Sequence, residues 1–364
     1  MKLYYFLFLI FSVGYSQFNW VDGGLPIRQG VHVEWMRTAA ISAEGDGSLI
    51  IVWSDTRNGI RDMYAQKINA STGEPLWGSE GVLVSGSRGR QEDPIMVSDG
   101  QNGAYIIWQD YRDEAEDGDV YAQHLDYNGN MLWDPDGVPL SNQPGVQKYH
   151  NLCVDGNGGA YAVWADQNTG GYFGTVLGWP QMGYHDSEVL EVGIGVPIST
   201  RLESWSGFSL EYAGSGEAVM TWVDETGNGY DIRAQRIGAG AQPLWTTAEE
   251  GGIMVCDALD NQSKMKVTPA WTEMPSSEGD FASGAIITWR DNRFDDDGDI
   301  YMQVLDREGN SLFEENGRVV CDDPGQQTAP RVKTNQWNTY IVWEDKRNDA
   351  GDENVDIYAQ KLCM

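Results

Sequence analysis

The sequence predicts an all-β protein, a six-bladed β-propeller with four-stranded antiparallel blades, its ring closed by the N-terminal strand pairing with the C-terminal blade. Three observations carry that expectation. First, Trp-x-Asp recurs at Trp53/Asp55, Trp108/Asp110, Trp164/Asp166, Trp222/Asp224, Trp289/Asp291 and Trp343/Asp345, with Trp spacings of 55, 56, 58, 67 and 54. A period of that length means a solenoid or a propeller. Second, each Trp ends a short run of aromatic and β-branched residues edged by Gly or Asp, such as Ala104–Trp108, which reads as a strand buried on both faces. Third, the last copy stops one strand short at Leu362–Met364, while Gly24-Leu25-Pro26-Ile27 resembles the outer strands Gly137–Leu140 and Gly195–Ile198. A spare strand at one end and a missing one at the other close a circle, whereas a solenoid carries capping repeats.

The remaining strands fall around the Trp run. A shorter run precedes it, as in Pro94–Ser98 before Asp99-Gly100. Asp-Ile-Tyr-Ala-Gln or a variant follows it, at Asp62–Gln66, Asp119–Gln123, Asp231–Gln235, Asp299–Gln303 and Asp356–Gln360. The outer strand begins with Gly, at Gly81, Gly137, Gly195, Gly252 and Gly317. Divided among six copies, residues 17–364 allow 58 residues per blade in one domain without a linker.

Residues 1–16 read as an export signal, with Lys2 before the apolar run Leu3–Val13 and small residues at Gly14 and Ser16. An 11-residue run is too short to span a bilayer, which needs about 20 residues, so a soluble, secreted or cell-surface monomer is expected after cleavage. The chain has 364 residues with 24 basic and 55 acidic side chains, a formal net charge of −31. That charge repels phosphate backbones and acidic membrane surfaces, which excludes nucleic acid as the natural partner.

The pattern Trp-x-Asp-x-Arg … Asp-Ile-Tyr-Ala-Gln resembles that of secreted bacterial β-propeller repeat proteins over nearly all of residues 17–364. The resemblance implies the fold and export, and little chemistry, because that group is functionally mixed.

What repeats is read as scaffold, and what differs between copies as candidate site. Four copies extend to Asp-x-Arg (Arg57, Arg112, Arg293, Arg347), whereas the third and fourth carry Asn168 and Thr226 there. A charge-assisted pair bracing loops is the expected role. The loops between strands two and three are acidic in three copies, making Asp117, Asp119, Asp295, Asp297, Asp299, Asp352 and Asp356 candidate Ca²⁺ ligands. The alternative is a solvated acidic rim with no cofactor. On the same face, the junctions from strand four to the next strand one depart from symmetry. They carry His32, Trp35 and Arg37; Arg90 and Gln91; Lys148 and His150; Arg201 and Trp205; Lys264 and Lys266; and Gln327 and Arg331. A basic, aromatic-bearing centre inside an acidic rim suits a glycan or a protein ligand.

Blade three is divergent and inserts Trp179–Asp186, and blade five inserts Thr272–Ser283; both insertions are expected on the opposite face. Cys153, Cys256, Cys321 and Cys363 read as small buried residues without metal-ligand spacing. With no nucleophile elbow or phosphate loop, the expected function is a non-catalytic binding or scaffold module. The alternative is a secreted carbohydrate-active enzyme, glycoside hydrolase or polysaccharide lyase, with its site at the axial mouth.

Overall fold

The computed structural model describes residues 25–27, 40–113, 117–141, 143–178, 195–201, 207–227, 229–270, 284–335, 338–348 and 355–363. Among them, six antiparallel sheets follow one another along the chain. Blade one is β1 (Ala40–Ala43), β2 (Ser48–Asp55), β3 (Asp62–Asn69) and β4 (Val82–Ser85). Blade two is β5 (Gln91–Ser98), β6 (Ala104–Asp110), β7 (Asp119–Leu125) and β8 (Val138–Ser141). Blade three is β9 (Gln147–Val154), β10 (Ala160–Asp166), β11 (Gly171–Leu177) and β12 (Val196–Ser199). Blade four is β13 (Phe208–Gly214), β14 (Glu217–Thr226), β15 (Gly229–Ile237) and β16 (Ile253–Cys256). Blade five is β17 (Gln262–Ala270), β18 (Gly284–Asp291), β19 (Asp299–Leu305) and β20 (Arg318–Cys321). Blade six is β21 (Gln327–Thr334), β22 (Asn338–Asp345) and β23 (Asp356–Cys363).

Each Trp of blades two to five sits where two packing problems are solved together. On one side it meets the preceding blade: Trp108 shares a core with Ile50, Val52 and Met63 of blade one. On the other it lies against the Gly that opens its own outer strand. A Cβ on Gly137 would come within 2.4 Å of the Trp108 ring, and one on Gly317 within 2.4 Å of Trp289. Both glycines also have positive φ, 83° and 82°. Any larger residue there is therefore strained twice, by the ring and by the backbone.

The Asp of each triplet is buried and needs donors. In four blades the Trp indole N–H donates to it, at 3.0 Å for Asp55, 2.8 Å for Asp110, 2.7 Å for Asp291 and 2.8 Å for Asp345. The Arg two residues on closes over the same carboxylate, at 2.5 to 2.7 Å. Its guanidinium stacks on the Tyr of strand three, 3.6 Å from the Tyr64 centroid in blade one. In three blades it also donates to the carbonyl ahead of the outer-strand Gly, at Glu80, Asp136 and Asn316. Burial alone would push Asp55 and Asp345 up, but these bonds hold both below the usual carboxylate value.

Blades three and four lack that Arg, and there the Trp164 and Trp222 indole N–H groups have no partner. Blade three satisfies Asp166 locally, through the backbone N–H of Asn168 and the hydroxyl of Thr169. Blade four uses a different cation: Arg233, standing in the Tyr slot of strand three, reaches Asp224 at 2.5 Å.

Ring closure is not seen among the described residues. Leu25–Ile27 lie outside any strand, and β23 has a partner on one side only. The outward face of blade six is bare as well. Tyr340 and Val342 are 44% and 38% exposed, whereas their counterparts Tyr105 and Ile107 are fully buried against blade three. No helix of the described residues is long and apolar enough to cross a membrane. Cys153, Cys256 and Cys321 are buried and free. The side chain of Cys363, the export-signal residues 1–16, and the insertions Trp179–Asp186 and Thr272–Ser283 lie outside the described residues.

Three expected outcomes follow from the clamp and from the glycine contact. Gly137→Ala should cost about 2–4 kcal/mol in denaturant unfolding through overpacking and left-handed strain. Gly100→Ala, with positive φ but open space around it, should cost about 1–2 kcal/mol. Equal losses in the two variants contradict the ring contact. Arg233→Tyr should cost about 3–5 kcal/mol by stranding Asp224, and adding Thr226→Arg should recover at least half of that loss. Because Asp55 and Asp345 titrate low when folded, their stabilisation is complete above about pH 4 and disappears as the pH falls further. A melting temperature that rises from pH 5 to pH 3 contradicts this.

Candidate functional site

The inner strands β5, β9, β17 and β21 begin with the same device. Gln91, Gln147, Gln262 and Gln327 are fully buried, and each side-chain amide donates to carbonyls of the connector just before it. Gln91, Gln147 and Gln327 also donate their backbone N–H to the preceding blade, at Arg61, Gly118 and Gly298. Two residues later the chain enters the left-handed region: Asp93 (φ 53°), Tyr149 (φ 53°), Lys264 (φ 56°) and Ala329 (φ 51°). Gly207 (φ 75°) precedes β13 in blade four. In the four strands the pairing with the middle strand slips there, a β-bulge. A bulge re-aims side chains, and these point the inner strands at the axial mouth.

That mouth holds a cavity of about 560 Å³ between blades four, five and six. Phe208, Tyr230, Lys264, Lys266 and Arg331 line it, Tyr230 arriving from the β14–β15 hairpin. Both loop sets named from the sequence thus meet on one face. Below it a channel of about 630 Å³ runs between the inner strands of blades two to six, sharing Lys266 and Arg331 with the mouth and adding Glu211, Tyr212 and Lys333. Glu211 and Lys333 pair across it at 2.5 Å. Burial, then the charges of Arg331 and Lys264, hold the Lys266 amine below the usual lysine value, with Glu211 opposing.

The structure therefore brings three of the expected ligand residues together, Lys264, Lys266 and Arg331. Gln91 and Gln327 belong to the scaffold, sealed inside their connectors. Arg90 lies over Tyr111, 3.6 Å from its ring centroid, and near Glu92. Lys148 stands 5.1 Å from the Tyr149 ring. His150 is buried between blades, its Nε2 bonded to the Asp93 carbonyl at 2.6 Å, and burial lowers its pKa. Arg201 lies at the circumference, against Gly251 of blade four. His32, Trp35, Arg37 and Trp205 lie outside the described residues.

Sequence reasoning missed Phe208, Tyr230, Glu211 and Lys333. For Lys333 the signal was strand phase, since it stands two residues beyond Arg331 on the same strand; Phe208 and Glu211 sit on β13, which opens without the buried Gln, and Tyr230 comes from a hairpin.

The acidic loops behave as braces at the outer radius. Asp295 caps Gly298, the Asp296 and Asp297 carbonyls accept from Arg290, and Asp356 accepts from Asn348. Burial and then the carboxylates of Asp295, Asp322 and Asp291 push Asp299 up to about 6. Asp117 and Asp119 flank Gly118, whose carbonyl joins blade three, and Asp352 lies outside the described residues. Among the described residues no group of three His, Cys, Asp or Glu side chains converges as a metal site.

No protein-family profile and no curated protein matches the chain. Among solved structures it is similar to the polysaccharide lyase Uly1, at 11% identity and a TM-score of 0.51, over 90% of this chain and 77% of that one. It is also similar to the GH93 α-L-arabinofuranosidase of Fusarium graminearum, at 8% identity and a TM-score of 0.47, over 90% and 93% of the two chains. The likeness to Uly1 shows the propeller fold. It also corrects the expectation of a non-catalytic binding or scaffold module, because a structure of the same fold is a polysaccharide lyase.

The left-handed residues offer a direct test of the bulge. Ala329→Gly should leave the protein about 0.5 kcal/mol more stable, relief of left-handed strain outweighing the lost chain stiffness. A loss of stability shows that Ala329 is not held at positive φ.

Proposed function

We propose that the chain is a secreted carbohydrate-active enzyme, hydrolase or lyase, whose site is the axial mouth between blades four, five and six. The observation that carries this reading is the shared cavity. Cations and aromatic side chains from three blades converge there, on strands bent by bulges, next to a second cavity of about 630 Å³. The fold likeness to a polysaccharide lyase supports it. Aromatic faces stack on the apolar side of a sugar ring while charged groups orient its substituents, the usual composition of a glycan site. Export is supported by the apolar run Leu3–Val13 behind Lys2. The same reading completes the sixth blade with Gly24–Ile27, which supplies the outer strand that β23 has room for.

The purified protein should release soluble oligosaccharides from at least one member of a panel of plant and algal polysaccharides. The double variant Lys264→Ala/Arg331→Ala should lower that rate by about 100-fold at unchanged melting temperature. A folded protein that degrades nothing in the panel overturns the reading.

A further inference from the structure

The mouth cavity gathers three cations, Lys264, Lys266 and Arg331, in a chain with 24 basic residues against 55 acidic ones. Among the described residues no Asp or Glu lines that cavity. Arg331 turns part of its guanidinium to the carbonyls of Ala329 and Pro330, and Glu211, the acid nearest in the channel, is held by Lys333. Other buried cations of the protein face carboxylates, as in the four Asp–Arg clamps. Like charges crowded together without counter-charge are an energetic liability that an anion relieves.

We propose that the substrate is an anionic polysaccharide containing uronate, its carboxylate held by Lys264 and Arg331, and that it is cleaved by β-elimination with Lys266 as the proton acceptor. This rests on the enzymic reading of the mouth. The step balances without water or a redox partner. Neutralising the carboxylate acidifies the C5–H bond; the Lys266 amine takes that proton, the electron pair forms the C4=C5 double bond, and the C4–O bond breaks. The departing oxygen takes a proton from solvent, to which Lys266 later returns its own. Burial and the neighbouring cations lower the basicity of Lys266, which brings a neutral amine within reach. Hydrolysis by contrast calls for two carboxylates about 5–10 Å apart around the scissile bond, whereas the described lining of this cavity offers cations.

The test uses the full chain with three polymers: polygalacturonate or alginate as uronates, dextran sulfate as a polyanion without uronate, and arabinan as a neutral glycan. Uronate should be cleaved with the rise in ultraviolet absorbance of the unsaturated product. Arg331→Ala should raise KM by about tenfold or more. Lys266→Arg keeps a long polar side chain but stays protonated and cannot accept a proton, so kcat should fall by about 100-fold and the alkaline rise of the rate should be lost. Arabinan cleaved while uronates are ignored overturns this inference and leaves the enzymic reading standing. Dextran sulfate bound as tightly as uronate, with no unsaturated product, overturns the elimination. Processing of no glycan at all removes both.

Discussion

A carboxylate shut away from water between an indole N–H and a guanidinium is the constraint on which the blades depend. Burying that charge costs several kcal/mol unless every lone pair is met. The four complete copies meet it with the same group of four side chains, the Arg stacked on a Tyr and, in three of them, tied to the backbone ahead of the outer strand. One interaction thereby joins strands two, three and four. Its position on the middle strand also orients the Trp that fills the space toward the preceding blade. Blade four shows that the requirement is electrostatic rather than positional: the guanidinium comes from Arg233 in the Tyr slot and Asp224 is still answered.

Much of the fold was legible because repetition multiplies weak signals. A single Trp-x-Asp means nothing, but six at near-constant spacing reveal the blade, its strand order and the glycine at which each outer strand opens. The inner strands were harder. The sequence reading began blade two's at Pro94, whereas the strand starts at Gln91 and passes through a bulge. Nothing in the alternation of Glu92-Asp93-Pro94 announces a left-handed residue, since Asp and Pro read equally well as a turn. Closure was legible only as a complementarity of ends, and the sixth sheet keeps its outer side unpaired among the described residues.

The site was legible by face and not by residue. Choosing junction residues by charge and aromaticity collected Lys264, Lys266 and Arg331, which do share the mouth, together with Gln91, Gln327 and Arg201, which do not. Charge alone cannot separate a side chain aimed at the axis from one folded back on its own connector. The bulge decides between them, and it is a property of backbone pairing. In the acidic loops, too, backbone groups join hairpins and neighbouring blades, through the Asp296 carbonyl and the Gly118 carbonyl.

The charge of the chain has a colloidal consequence. Mutual repulsion between bodies of formal charge −31 keeps copies apart at low ionic strength. Salt shortens the reach of that repulsion to about 8 Å at physiological strength, so crowding and brine together are the conditions under which this protection fades.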